Sequence, residues 1–185
     1  MSDAIMKTRR FQQRTRKYTR GAALVEFAIV LVPLIVLVMG VAEFGHAIWQ
    51  YEALTKSTRD AARYLSTYLP TDPTYPTAAA QCLVVYGSTT CPSAGTPLVT
   101  GLTTSMVVIC DAGNSAGCTD STDPTAFSNV PTYDTNNGAS GGTQSGSINL
   151  VEVKIKGFPY SPIEPFFNLS TFNFDNIFTV MRQVS

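Results

Sequence analysis

Histidine is nearly missing from this chain, with one, His46, in 185 residues. With it goes the commonest general base and the commonest metal ligand. No glycine-rich phosphate loop and no G-x-S-x-G nucleophile elbow is present. The sequence therefore offers no catalytic residue, and it implies neither an enzyme nor a cofactor. Metal motifs are lacking as well. The cysteines do not form the close pairs of a zinc knuckle, and Asp111, Asp120, Asp123 and Asp134 do not follow EF-hand spacing. Charge is scarce, at 14% of residues. No small-residue cleavage site of the A-x-A type follows the apolar run, which excludes an ordinary secretory signal.

The charge that is present is unevenly placed. Formal net charge is zero. Residues 1–21 nevertheless hold seven basic side chains (Lys7, Arg9, Arg10, Arg14, Arg16, Lys17 and Arg20) against Asp3 alone. The rest has six basic and twelve acidic side chains, a net of −6. A basic arm can bind nucleic acid, but this one abuts an apolar span. The positive-inside rule then places the N-terminus in the cytoplasm and the domain beyond residue 45 on the other side. No nucleic-acid partner and no small-molecule substrate is expected.

From Ala22 to Ala42 nearly every residue is apolar. At 1.5 Å per residue the run covers about 30 Å, one bilayer core. Glu26 is its only charge, and Pro33, its only helix breaker, predicts a kink. Phe44, Ala47, Ile48, Tyr51, Leu54, Thr58, Ala61, Leu65 and Tyr68 then recur at spacings of three and four, an apolar helical stripe. The opposite face carries Glu43, Gln50, Glu52, Lys56, Arg59, Asp60 and Arg63. Pro70, Pro73 and Pro76 end the helix. The organisation read from the sequence is a leader at 1–21, disordered over its first twenty residues, and a transmembrane helix at 22–43. An amphipathic continuation follows at 44–69, then a loop-rich β domain at 70–185.

In that domain Ser105–Cys110 and Phe178–Val184 read as short strands. Ile148–Lys156 is the clearest, with Val151, Val153 and Ile155 on one face and Glu152, Lys154 and Lys156 on the other. Residues 87–100 and 111–147 read as loops, and Phe158–Phe167 as an aromatic, proline-rich turn. The fold class is α+β: a long helical spine with a small antiparallel sheet on its outer half. Cys82, Cys91, Cys110 and Cys118 all follow the span, and an even count in a small extracytoplasmic domain points to disulfides. Three pairings are open. Loop entropy favours Cys82–Cys91 with Cys110–Cys118. His46, Trp49 and Tyr51 read as an interfacial aromatic belt. The sequon at Asn168-Leu169-Ser170 is too short a motif to carry weight.

Glu26 is costly in lipid, at most about 2.5–3.5 kcal/mol for a charge at the bilayer centre and less one turn inside the edge. Cleavage after Gly21 would give it a role. Ala22 would then carry a new amine, and Glu26 would be the fifth residue of the mature chain. In a helix bundle the amine of one subunit neutralises the carboxylate of its neighbour and fixes their stagger. The alternative is a glutamate that snorkels to the interface.

Gly21, four apolar residues and Glu26-Phe27 resemble the prepilin peptidase site of type IV pilins. More narrowly, residues 20–64 resemble the TadE-like family, minor pseudopilins of the tight-adherence (Flp, type IVc) pilus. The match rests on Arg20-Gly21-Ala22, Val25-Glu26-Phe27, Pro33 and Ala61-Ala62-Arg63. Val151–Tyr160, the prolines before Phe166 and Val180-Met181-Arg182 are similar too.

The resemblance implies cleavage between Gly21 and Ala22, with Glu26 and Phe27 serving recruitment or register. It implies a single-pass protein of the bacterial inner membrane whose C-terminal domain is periplasmic or extracellular. Its implied partners are the membrane, the prepilin peptidase, other pilins and pseudopilins, and the pilus assembly platform, in the service of adhesion and biofilm formation. Phe27, where major pilins usually have tyrosine, and the large domain argue against a major filament subunit. Two other readings stand beside it: an uncleaved membrane protein displaying an adhesion or sensing domain, and a pseudopilin of a type II secretion system.

Overall fold

The computed structural model describes residues 2–114, 118, 126–134, 142–163 and 172–184, without the side chains of residues 2–20. The chain divides into two compact units, Met1–Gly45 and His46–Ser185. Each is described by itself.

Helix α1 spans Ser2–Leu65 and contributes to both units. It begins in the leader, which was expected to be disordered. The leader has no glycine or proline before Gly21 and is rich in Lys, Arg, Gln and Met, all good helix formers. Pro33 lies within the helix. From Gly21 to Val41 no residue is buried. An 18-residue window reaches a mean hydropathy of 2.8, enough by length and composition to cross a membrane. Among the described residues this is the one helix that qualifies.

In the second unit α1 stops at Leu65, before the expected proline boundary. The hydroxyls of Ser66 and Thr67 donate back to Arg63 O and Tyr64 O at 2.8 Å each, and Tyr68 N bonds Leu65 O at 3.0 Å. Such local bonds compete with the helical ladder. Helix α2 (Thr77–Tyr86) has no counterpart in the sequence reading. It starts after Pro76 and ends at Gly87, whose φ of 70° closes the helix through a 2.9 Å bond from its N–H to Leu83 O.

Among the described residues, four antiparallel strands form the sheet: β1 (Val107–Cys110), β2 (Val130–Asp134), β3 (Thr143–Ile155) and β4 (Ile177–Gln183). β3 is central. β1 and β2 share one of its edges, with Ile109 opposite Val153 and Val130 opposite Ile148. β4 holds the other edge, with Val153 opposite Thr179 and Ile155 opposite Ile177. β2 and the first half of β3 fall in the stretch read as the loop 111–147. Their Ser, Thr and Gly content hides the strand pattern, and residues 115–117, 119–125 and 135–141 lie outside the described part. The sequon is outside it as well.

One face of the sheet packs against both helices. Leu54, Ala61, Ala62 and Leu65 of α1 and Ala80, Val84 and Val85 of α2 join Val107, Ile109, Val151, Val153, Ile155 and Ile177 in one core. The second face is also covered, by Cys118 and Phe127 packed on Cys110, Val108 and Leu150.

The buried face of α1 differs from the expected one at its start. Phe44, Ile48 and Tyr51 are exposed, whereas Glu43 and Gln50, expected on the polar face, are buried. Gln50 is held by polar contacts: Nε2 donates to Ser161 O at 3.0 Å and lies 2.8 Å from His46 Nε2. The nitrogen side of this one amide is thus satisfied on the inward face, while Gln50 Oε1 is buried without a hydrogen bond.

Candidate functional site

The apolar helix presents its candidate residues openly. Gly21, Ala22, Glu26 and Phe27 are all exposed. A Cβ added at Gly21 would meet nothing within 4 Å. The fold therefore does not require glycine there, although glycine costs about 1 kcal/mol in a helix relative to alanine. Gly40 and Gly45 are equally open.

Helical spacing puts Ala22, Glu26, Ile29 and Pro33 on one stripe. Proline has no N–H, so the Ile29 carbonyl four residues before it loses its helical donor. One face thus gathers the only carboxylate of the Ala22–Ala42 run and a carbonyl without its usual partner. Among the described residues, no hydrogen bond or ion pair engages Glu26.

The cysteines lie in the second unit, in two local bridges. Cys82 is bonded to Cys91 with Cα atoms 5.0 Å apart, and Cys110 to Cys118 at 5.8 Å. No described cysteine is free. Among the described residues, no cluster of His, Cys, Asp or Glu could hold a metal ion. Asp111 is not a solvated loop residue. It is buried, and its Oδ1 accepts from Gly113 N and Asn114 N at 2.8 Å each. Its carboxylate also faces Tyr75, whose hydroxyl accepts from Gln183 Nε2 at 2.9 Å. Burial, and then the Asp111 charge, push the Tyr75 phenol above its ordinary value of 10.0. Phe158 and Tyr160 of the aromatic turn are buried, whereas Ile163 is exposed; residues 164–167 lie outside the described part.

Sequence reasoning missed the most enclosed charges. Glu152 and Lys154 are 0% exposed, and Lys154 Nζ lies 3.0 Å from Glu152 Oε1. The contact is an ion pair rather than a well-aligned hydrogen bond. Lys154 also donates to Cys118 O at 3.4 Å and sits 5.7 Å from the centre of the Phe178 ring, its direct cross-strand neighbour. The signal was present: opposite charges two residues apart share one strand face. Alternation alone reads that face as solvated.

A sequence model of the TadE-like protein family matches residues 21–63. Over this segment the chain is TadE-like. The TadE-like segment starts at Gly21 and ends at Arg63, so it contains the exposed apolar helix, Glu26, Pro33 and the buried Ala61 and Ala62. The sheet itself lies outside the match. No curated protein and no solved structure matches the chain. One apolar helix of this kind fits a single-pass membrane protein.

Proposed function

We propose that this chain is a TadE-like minor pseudopilin of a Tad (Flp) pilus system, cut by a prepilin peptidase after Gly21 and assembled through its helix. The observation that carries the reading is the family match beginning at Gly21 and running along a helix with no buried residue as far as Val41. A helix so apolar and so uncovered must be enclosed by lipid or by other helices. Glu26 then takes the register role. In a wrong stagger its carboxylate stays unpaired in apolar surroundings, and in the right one it meets the amine of a neighbour. The role is structural and non-catalytic. The domain sits across the inner membrane from the leader, and the partners are pilins, pseudopilins and their assembly platform.

Two measurements test this. Intact mass of the protein from envelope fractions should begin at Ala22; a retained leader overturns the reading. Glu26→Val should still be processed but should fail to support piliation. Normal piliation in that variant would remove the register role and leave the processing site standing.

A further inference from the structure

Three small residues leave a hollow between α1 and α2 in the second unit. Ala53 and Ser57 lie one turn apart on α1, and Gly87 closes α2 at a φ of 70° that residues with a side chain rarely adopt. With Leu83 and Leu98 they line a cavity of about 510 Å³, within the roughly 300–1,000 Å³ of small-ligand clefts. Its α2 wall is fixed. Gly87 N bonds Leu83 O at 2.9 Å, Leu98 N bonds Val85 O at 2.7 Å, and the Cys82–Cys91 bridge ties the intervening loop back to α2. Trp49 lines the same cavity and is 54% exposed. The His46 ring stacks on its indole at 5.7 Å and 21°, which holds the plane of the ring. Three exposed charges, Glu52, Lys56 and Asp60, follow along this side of α1 at intervals of one turn. Lys56 stands between two acids, yet among the described residues none of the three makes an ion pair or a hydrogen bond. An indole, two carboxylates and an ammonium thus border one hollow, with their hydrogen-bonding capacity unused.

We propose that this cavity binds a sugar, a β-linked pyranose of gluco configuration laid against Trp49. The donor set selects it. Carboxylates only accept hydrogen bonds and an ammonium only donates them. A sugar hydroxyl does both, so one ring answers Glu52, Lys56 and Asp60 together. In the β-gluco configuration all ring substituents are equatorial, which leaves the axial C–H groups on the two faces of the ring. Such a face is apolar and slightly positive, and it suits the negative face of an indole. A simple cation would be drawn to Trp49 and the acids but repelled by Lys56. An apolar partner would bury three charges without answering them. The site uses residues of the second unit alone, so it is independent of processing at Gly21 and of any role of Glu26. A second copy of the chain is the competing occupant.

Trp49 is the only tryptophan of the chain, so its fluorescence reports on this cavity directly. The full-length protein, in a detergent without a sugar headgroup, is titrated with cellobiose and with diacetylchitobiose. Sorbitol, which has the hydroxyls without the ring, and cadaverine, a cation without hydroxyls, are the controls. At least one disaccharide should change Trp49 emission saturably, with half-saturation on the order of 1 mM, and neither control should. Glu52→Gln combined with Asp60→Asn should weaken that binding at least about tenfold, since hydrogen bonds to charged groups are the stronger ones. Both positions are exposed, and the native titration decides alone if the double variant does not fold. Four results overturn the proposal: no saturation by either disaccharide up to about 50 mM, an equal response to sorbitol or cadaverine, unchanged affinity in the double variant, or a Trp49 already shielded from iodide before any sugar is added. The last of these would place a second copy of the chain on the cavity. None of the four bears on where the leader is cut.

Discussion

Glu152 lies two residues from Lys154 on a central strand, 0% exposed and 3.0 Å from the ammonium. Glu26 lies exposed on a helix between Val25 and Phe27, with no partner among the described residues. Both carboxylates have apolar neighbours. The domain encloses its charge together with an opposite charge, a cross-strand ring and a backbone carbonyl from a disulfide loop. The helix leaves its charge without a partner among the described residues. The electrostatic problem is solved within the fold in one region, and the proposed assembly would solve it in the other. Removing Glu26 should therefore not matter to folding, and removing Lys154 should not be confined to folding's margins.

The largest expected effect tests the enclosed pair. Lys154→Met leaves a buried carboxylate without its cation and should cost about 3–5 kcal/mol. Glu152→Leu combined with Lys154→Met should restore most of that loss. Denaturant unfolding of the full-length chain in detergent, followed by circular dichroism, measures both. A loss below about 1 kcal/mol in the single variant would show that the pair is not what makes the face tolerable. Next comes the loop that covers it. Replacing Cys110 and Cys118 with serine should cost about 2.5 kcal/mol, from the entropy of an eight- to nine-residue loop. The Cys82, Cys91 double variant should cost less, because Cys91 is exposed and closes no roof over a charge.

A smaller effect depends on pH. The folded Tyr75 phenol titrates above its ordinary 10.0 because burial and Asp111 oppose its ionisation. Its contribution is fully present below pH 10 and is lost as pH rises through the folded value. The native domain should weaken progressively above pH 10. Tyr75→Phe should lose about 1 kcal/mol at neutral pH and show a shallower alkaline decline, followed as the melting temperature against pH. The smallest effect sharpens the comparison most. Glu26→Gln should leave unfolding of the domain unchanged within about 0.5 kcal/mol, as for any exposed site. A larger change would mean that Glu26 has a partner in its own chain.

The helix and the central strand were legible because each rests on an unambiguous period. Twenty apolar residues admit few structures, and Val151, Val153 and Ile155 alternate cleanly. The α+β class followed from those two. What stayed hidden had other causes. Thr77–Tyr86 mixes alanines with Leu83, Val84 and Val85 and follows three prolines, so no face stands out. β2 is polar because its hairpin with β3 is mostly exposed. The stripe from Phe44 to Tyr51 has helical spacing but faces outward, since periodicity shows that a helix has an apolar side and not what covers it. At the candidate site, Gly21 and Glu26 were legible through their spacing.

The position of β3 also sets an order of events. All three other strands pair with it, so the sheet cannot form until residues 143–155 have emerged. Both disulfide loops come earlier in the chain and close over separations of only 9 and 8 residues. Short loops bring their thiols together in tens of nanoseconds, but the bond itself takes seconds or longer to form, and pairing distant strands is slow as well. Each thiol therefore meets its local partner far more often than a distant one before β3 is in place. The short loops bias the thiols toward Cys82–Cys91 and Cys110–Cys118 while the strand register is still being searched.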